Sequence, residues 1–133
     1  MTSIAPLISI VDDDSSVCRA LGRLVHSAGY AVATFASARE FLDSPAPARA
    51  ACLVLDISLA GMSGFDLQAQ LAADHPLLPI IFITALDEAT TRERFRRSGA
   101  AARLRKPFDG NALLQAIGRA LDQDPIDGPD HPL

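Results

Sequence analysis

"LISIVDDD", from Leu7 to Asp14, is the stretch that decides the fold, because a short and largely apolar run ends in three aspartates. A run of five such residues is typical of a strand buried on both faces of a parallel sheet. Further aliphatic runs recur along the chain: "AVATF" at 31–35, "ACLVL" at 51–55, "IIFIT" at 80–84 and "ARLR" at 102–105. The sequence therefore predicts five short strands, of which the first, third and fourth are the most deeply buried.

Segments with helical spacing separate these runs. The first ends at Gly29, a residue type common at helix C-termini, and its apolar stripe consists of Val17, Leu21, Leu24, Val25 and Ala28. The second begins at Ser37 and Glu40, which are spaced as a capping box, runs to about Leu42 and is broken by "SPAPARA". Two helices are thus predicted in the first half of the chain.

Three more helices are predicted in the second half. Ser63 and Asp66 repeat the capping signal, and His75-Pro76 closes that helix. The next segment, "DEATTRERFRRSG" at 87–99, has acids at its start and arginines at its end, as the helix dipole favours. The last begins near Asp109 and turns four aliphatic side chains inward: Leu113, Leu114, Ile117 and Leu121.

Strand and helix alternate five times with short connections, which predicts an α/β fold: a doubly wound, five-stranded parallel sheet with five helices on its two faces. A length of 133 residues, 49% of them hydrophobic, suits a single core. We assign residues 1–121 to one domain. The remaining "DQDPIDGPDHPL" at 122–133 lacks periodicity, and we expect a disordered C-terminal tail or the start of a linker.

Composition excludes several function classes. The formal charge of −4 provides no broad basic surface, so we expect no direct binding of nucleic acid by this chain. The apolar runs are too short to cross a membrane and no signal segment is recognisable, so we expect no membrane association and a cytoplasmic protein. Cys18 and Cys52 stand in apolar surroundings outside any paired motif, which predicts buried free thiols.

The residues that follow the strands are chemically distinctive. Asp12 and Asp13 follow the first strand and Asp56 the third, while Thr84 ends the fourth and Lys106, the only lysine of the chain, follows the fifth. Ligand sites of open parallel sheets lie at this edge. Each residue alone has a structural explanation as a cap, turn or strand residue, but fold stability does not require three acids and a lysine to meet.

Carboxylates held close together repel one another unless a cation lies among them, and their hard oxygens suit magnesium. An aspartate beside such a metal can attack phosphorus, while a lysine and a hydroxyl stabilise the phosphoryl oxygens. The pattern therefore predicts an arrangement of aspartate, magnesium and phosphoryl group.

With these residues the chain resembles the response regulator receiver family, also called CheY-like, whose members take phosphate from histidine kinases. The resemblance covers roughly Leu7 to Leu121 and rests on "VDDD", "DISLAGMSG" from Asp56, "ITA" at Thr84, "SGA" at Gly99 and "KPF" at Lys106. It implies the flavodoxin-like strand order 2-1-3-4-5. It also implies a phosphoacceptor of two-component signal transduction, which catalyses only its own phosphorylation and dephosphorylation.

Carried over by position, the resemblance implies that Asp56 is the phosphorylated residue. Asp13 would bind magnesium, or manganese in its place, directly, and Asp12 at least through water; the backbone carbonyl of Ser58 would complete the protein ligands. Lys106 would pair with a phosphoryl or carboxylate oxygen, and a cis peptide bond would precede Pro107. Thr84 would hydrogen-bond the phosphoryl group and move its loop inward, which is the switch.

The chain departs from the family pattern in three respects. Arg103 stands where an aromatic residue or histidine usually turns inward, and we expect this arginine to stay on the surface or to reach an acidic partner. Ala60 replaces a common proline, which predicts a looser loop with unchanged chemistry. Ser58 and Leu86 occupy the two positions that tune phosphoryl lifetime, and Leu86 is expected to shield the phosphorus from water.

Rival hypotheses lack particular residues. A phosphatase of the haloacid-dehalogenase kind would need an acid two positions after the nucleophile, where this chain has Ser58. A flavin-binding protein would want a phosphate-cradling loop in place of the three aspartates. A pseudo-receiver acting only as a binding module has little reason to retain the acidic pocket, Thr84 and Lys106 together.

The expected partners are a sensor histidine kinase and either a separate downstream protein or an effector domain joined through the C-terminal segment. "SAREFL" and "RKPFD" most resemble receivers of nitrogen-fixation-type transcription regulators. The fourth helix, fifth strand and fifth helix form the face that the family often uses for partners or homodimers. Arginines crowd the first two of these elements, and a solvated arginine face is the simpler interpretation.

Overall fold

The computed structural model describes residues 5–59, 61–85 and 89–122. Strands and helices alternate along them as β1 (Leu7–Val11), α1 (Ser15–Ser27), β2 (Ala31–Phe35), α2 (Ala38–Asp43), α3 (Ala46–Arg49), β3 (Cys52–Asp56), α4 (Gly64–Asp74), β4 (Ile80–Thr84), α5 (Ala89–Ser98), β5 (Ala102–Arg105) and α6 (Gly110–Asp122). The five strands form one parallel sheet in the order β2-β1-β3-β4-β5, so the predicted fold class and strand order are confirmed.

Burial follows the position of each strand in the sheet. Every residue of β3 and β4 is buried, and β1 is buried at all positions except Leu7. The edge strands β2 and β5 contain no fully buried residue. Both faces of the three inner strands are covered by helices, which explains why their sequences are apolar throughout rather than alternating. The prediction that the first, third and fourth runs lie deepest is confirmed.

Two apolar layers flank the sheet. One contains α1 and α6, whose buried residues Leu21, Val25, Leu113 and Ile117 pack on alternate side chains of the inner strands. The other contains α2 and α4, represented by Phe41, Leu67 and Leu71 on the intervening side chains. The chain is therefore doubly wound, and Cys18 and Cys52 are buried free thiols as expected. No helix in the described part of the chain is long and apolar enough to cross a membrane.

Local capping signals set most helix starts. Asp14 caps α1, since its Oδ1 accepts from the backbone N–H groups of Ser16 and Val17 at 2.9 and 3.3 Å. Ser63 and Asp66 form a complete capping box at α4. Ser37 caps α2 as predicted, but the Glu40 carboxylate accepts from the N–H of Ala36 at 3.3 Å rather than from Ser37. The predicted capping box is thus only half formed at α2.

The structure corrects the predicted elements in a few places. "SPAPARA" contains α3, one further turn of helix, so there are six helices among the described residues rather than five. Proline is compatible with the first turn of a helix, which explains how this segment coils instead of remaining a breaker. α6 extends to Asp122, one residue beyond the predicted domain end. Ala28 lies exposed after α1, and Cys18 takes its place in the buried stripe.

Candidate acidic pocket

Three carboxylates meet at the carboxyl edge of the sheet. Asp12 and Asp13 follow β1, and Asp56 ends β3, which pairs with β1 in parallel. A carboxylate oxygen from each lies within 4.8 Å of the others. Asp12 and Asp56 are buried, with 1% and 7% exposure, while Asp13 is exposed. The predicted convergence of these residues at one edge is what the structure shows.

Backbone hydrogen bonds hold one oxygen of each buried carboxylate. Asp12 Oδ1 accepts from the N–H of Asp14 at 2.9 Å, and Asp56 Oδ1 accepts from the N–H of Ser58 at 2.9 Å. These turns form because aspartate readily bonds to the backbone two residues ahead. The second oxygen of each carboxylate therefore has a fixed direction.

Lys106 lies beside those second oxygens. Its Nζ is 3.3 Å from Asp12 Oδ2 and 3.6 Å from Asp56 Oδ2. The preceding chain positions it, since the Lys106 N–H donates to the carbonyl of Thr84 at 2.7 Å, and the bond to Pro107 is cis, as expected. A compact ammonium on a flexible stem can lie between two carboxylates, whereas a planar guanidinium demands more space. This placement gives a physical reason for the single lysine.

The electrostatics of the pocket are unbalanced. Burial raises the pKa of Asp12, and the nearby Asp56 raises it further, although the hydrogen bond from Asp14 and the charge of Lys106 oppose the rise. Burial alone would lower the pKa of Lys106, but Asp56 and Asp12 outweigh it and the pKa is raised. Three carboxylates against one ammonium leave two negative charges in excess when all are ionised. A divalent cation fits both this charge and the all-oxygen donors.

Thr84 and Arg103 lie on the paired strands β4 and β5. Thr84 is the last residue of β4 and is fully buried beside Arg105 of β5. Arg103 is half-buried, and its guanidinium carbon lies 5.8 Å from the centroid of the Phe95 ring. The guanidinium thus lies beside Phe95 of α5, and the expectation that Arg103 stays on the surface or reaches an acidic partner remains a prediction. Leu86 and Ala60 lie outside the described residues.

Gly64 supports the pocket in a way that the sequence alone did not reveal. It is the first residue of α4, and its N–H donates to the carbonyl of Ile57 at 2.8 Å. A Cβ at this position would lie 2.8 Å from the backbone oxygen of Asp56 and 2.9 Å from the Ile57 Cα. The missing side chain lets α4 pack directly against the end of β3. The only signal in the sequence is the glycine that ends "DISLAGMSG".

A stack of side chains that joins α5, α4 and β4 was also not predicted from the sequence. The Arg94 guanidinium carbon lies 4.4 Å from the Phe65 ring centroid, and the Phe65 and Phe82 rings lie 4.8 Å apart. The Gln68 side chain donates to the carbonyl of Ser98 at 2.8 Å. These contacts attach α5, which has no fully buried residue, to α4. The partners are too far apart in sequence for periodicity to reveal them.

Comparison with known proteins identifies a family. The family profile described as "Response regulator receiver domain" matches residues 8–118. Nodulation protein W of Bradyrhizobium diazoefficiens is 41% identical over 122 residues, which cover 92% of this chain and 54% of the relative. The transcriptional regulatory protein FixJ of Azorhizobium caulinodans is 33% identical over 120 residues, covering 87% of this chain and 57% of the relative. The chain spans about half the length of these curated relatives.

Solved structures share the fold. A CheY-like receiver domain protein of Methanospirillum hungatei superposes with a TM-score of 0.83 at 26% identity, covering 93% of this chain and 99% of the other. The response regulator StyR gives a TM-score of 0.80 at 44% identity, covering 88% of this chain and 59% of the other. The fold, the acidic edge of the sheet and these relatives agree: the chain belongs to the response regulator receiver family and is a receiver domain of two-component signal transduction.

Proposed function

We propose that Asp56 accepts a phosphoryl group from the phosphohistidine of a sensor histidine kinase. The observation that carries this proposal is the setting of its carboxylate. Oδ1 is held by the Ser58 N–H at 2.9 Å, while Oδ2 lies 3.6 Å from the Lys106 ammonium. One oxygen is thus fixed and the other lies beside a cation that can stabilise charge on an incoming phosphoryl group. Of the two buried carboxylates, Asp56 is also the more accessible, with 7% exposure against 1% for Asp12.

In the proposed transfer a carboxylate oxygen of Asp56 forms a bond to phosphorus as the nitrogen–phosphorus bond of the donor breaks. The histidine ring keeps the electron pair of the broken bond and takes a proton from water, so the products are an acyl phosphate, a neutral imidazole and hydroxide, which the solvent buffer neutralises. Lys106 stabilises negative charge on the phosphoryl oxygens throughout. In dephosphorylation a water oxygen would bond to phosphorus as the bond between phosphorus and the Asp56 oxygen breaks, which regenerates the Asp56 carboxylate and releases inorganic phosphate.

The residues present fit a divalent metal, because they offer only oxygen ligands and carry excess negative charge. Asp13, Asp56 and the Ser58 carbonyl would hold magnesium directly, with Asp12 acting at least through water; manganese would suit the same donors. When bound, the metal supplies positive charge that offsets the repulsion between the carboxylates and the phosphoryl oxygens. Asp13 is the exposed member of the three and is therefore the ligand that an arriving ion meets first.

Thr84 is proposed to sense the phosphoryl group. Its hydroxyl is buried at the end of β4, the strand next to the one that ends in Asp56. A new hydrogen bond from this hydroxyl to a phosphoryl oxygen would draw the following segment toward the pocket. Arg103 would respond through its packing beside Phe95 rather than as an aromatic side chain turning inward. Ser58, and Leu86 by sequence position, are proposed to govern access of water to the phosphorus.

The output is proposed to pass to an effector domain or a separate protein, because the matched part of this chain covers only 54% and 57% of two curated relatives. α5, β5 and α6 are the proposed face for such a partner or for a homodimer. Within the chain, however, Arg96 and Arg97 pair with Glu93 at 3.0 and 3.1 Å, which supports a solvated arginine face at these two residues. A cytoplasmic location is part of the same proposal, since the kinase must reach Asp56.

Intact mass after incubation with acetyl phosphate tests this function. We expect the mass of one added phosphoryl group in wild type, abolished by chelating magnesium and by Asp56→Asn. Asp14→Asn is the matched control, because Asn caps a helix as well as Asp does and the side chain of Asp14 points to the α1 start. No gain with acetyl phosphate or with a phosphorylated kinase would refute the proposal and leave the pseudo-receiver hypothesis.

A further inference from the structure

An apolar groove lies at the edge of the sheet opposite the acidic pocket. The two segments that lead into β3 and β4, within residues 47–51 and 75–79, line a space of about 320 Å³. Leu77 projects there with 86% exposure, and it is the one large hydrophobic side chain so exposed in the described ranges. The flanking side chains are mostly alanine and proline, including Pro47, Ala48 and Pro79. A single exposed leucine is ordinary on a protein surface, but Leu77 lies within a contiguous apolar groove, the kind of surface that can receive another segment.

The chain leaves its last helix at this same edge. In a parallel sheet a helix that follows a strand returns to the amino edge, and α6 follows β5. Ala120, near the end of α6, belongs to the same core cluster as Cys52, the first residue of β3. Cys52 directly follows Ala51, which lines the groove. The end of α6 at Asp122 and the groove therefore lie at the same end of the sheet.

The sequence after Asp122 has the chemistry to fill the groove. Residues 123–133, "QDPIDGPDHPL", contain no lysine or arginine, and five of them are apolar: Pro125, Ile126, Pro129, Pro132 and Leu133. Eleven residues in extended form reach about 36 Å, enough to cross the edge of a small domain. Their prolines reduce the conformational entropy lost on ordering. Exposed Arg49 lies between the groove residues Ala48 and Ala50, opposite in charge to the aspartates of this segment.

We propose that residues 123–133 bind back onto this groove in the same chain, with Ile126 or Leu133 covering Leu77. In a longer protein the segment would lie between the receiver and whatever follows it. Occupation of the groove would then fix the direction in which the chain leaves the receiver. This contact is independent of phosphorylation at Asp56, so its test does not depend on the proposed function.

The test uses the full chain with methyl-labelled isoleucine and leucine. We expect nuclear Overhauser effects from the methyl groups of Ile126 or Leu133 to those of Leu77 and Leu78, and we expect them to persist when a large excess of unlabelled chain is added. Ile126→Ser combined with Leu133→Ser should remove them and shift the amide signals of Ala48 and Ala51. Gln123→Ser, a polar change in the same segment, is the matched control and should leave those signals in place.

Two results would overturn the proposal. Cross-peaks that disappear on dilution with unlabelled chain would show that a second copy fills the groove. Absence of any cross-peak from the segment to Leu77, with unchanged amide signals in the double variant, would show that the groove stays open in this chain. Neither the double variant nor Gln123→Ser alters the folded core, because all three substitutions lie beyond α6.

Discussion

Gly64→Ala should destabilise the protein and disturb the acidic pocket. The added Cβ would lie 2.8 Å from the Asp56 carbonyl oxygen and 2.9 Å from the Ile57 Cα, and both are backbone atoms that cannot rotate away. Relief of the overlap requires α4 to move outward by about 0.5 Å, which also stretches the 2.8 Å bond from the Gly64 N–H to the Ile57 carbonyl.

Overpacking of this kind costs about 1–3 kcal/mol, and weakening the hydrogen bond adds about 1 kcal/mol. The lower chain entropy of alanine in the unfolded state returns about 0.4–1 kcal/mol. We therefore expect the free energy of unfolding to fall by about 2 kcal/mol, equivalent to a fall in Tm of about 6–8 °C for a domain of this size. Because the atoms that the new Cβ would overlap belong to Asp56 and Ile57, phosphorylation by acetyl phosphate should slow as well.

Urea unfolding followed by circular dichroism measures the change, with Gly118→Ala as the matched control. Gly118 lies inside α6, and nothing lies within 4 Å of a Cβ built there. Alanine favours a helix interior by about 0.5–1 kcal/mol over glycine, so this variant should be more stable than wild type. A Gly64→Ala protein as stable as wild type would refute the claim that close approach of α4 to β3 requires glycine.

Other residues give further expectations. Lys106→Ala should lower the initial rate of phosphorylation by acetyl phosphate at least about tenfold, and a rate within twofold of wild type would argue against charge stabilisation by Lys106. Burial raises the pKa of the Cys52 thiol from 9.0 to about 12, so stability present below pH 9 is lost as pH rises toward 12, at up to about 1.4 kcal/mol per pH unit. Cys52→Ala should show a shallower loss of stability over this range, and identical slopes would contradict the shift. Ser9 is buried in β1, and its hydroxyl has no hydrogen-bond partner among the described residues. Ser9→Ala should therefore leave the free energy of unfolding unchanged or raise it by up to about 1 kcal/mol. A clear loss of stability in urea unfolding would show that the hydroxyl makes a hydrogen bond. Double-mutant cycles on Arg94 and Phe65 should give a coupling free energy of about 0.5–1 kcal/mol, and no coupling would refute the stacking contact. As a control, Arg96→Ala removes an exposed pair with Glu93 and should change the free energy of unfolding by no more than about 0.3 kcal/mol.

Much of the architecture could be predicted because its signals are local. The inner strands are buried on both faces, so their apolar runs stand out in the sequence, and the starts of α1, α2 and α4 follow from capping residues. α3 was missed because a single turn of four residues has no period to detect. The hydrogen bond from the Ala36 N–H to the Glu40 carboxylate was not predicted, because the neighbouring N–H groups of Ala36 and Ser37 compete for that one carboxylate.

The residues that reach the acidic edge could be identified from the sequence alone, because the carboxyl ends of parallel strands meet at one edge of the sheet whatever the loops do. Asp12, Asp56, Thr84 and Lys106 could all be named in this way. How these side chains face one another depends on the packing of the folded chain. Lys106 and Asp12 are 94 positions apart, and the direction of each carboxylate depends on backbone donors fixed by the packed strands. The same holds for Gly64 against Asp56 and for Arg103 beside Phe95. Contacts of this kind arise from packing in three dimensions, and no local pattern along the chain encodes them.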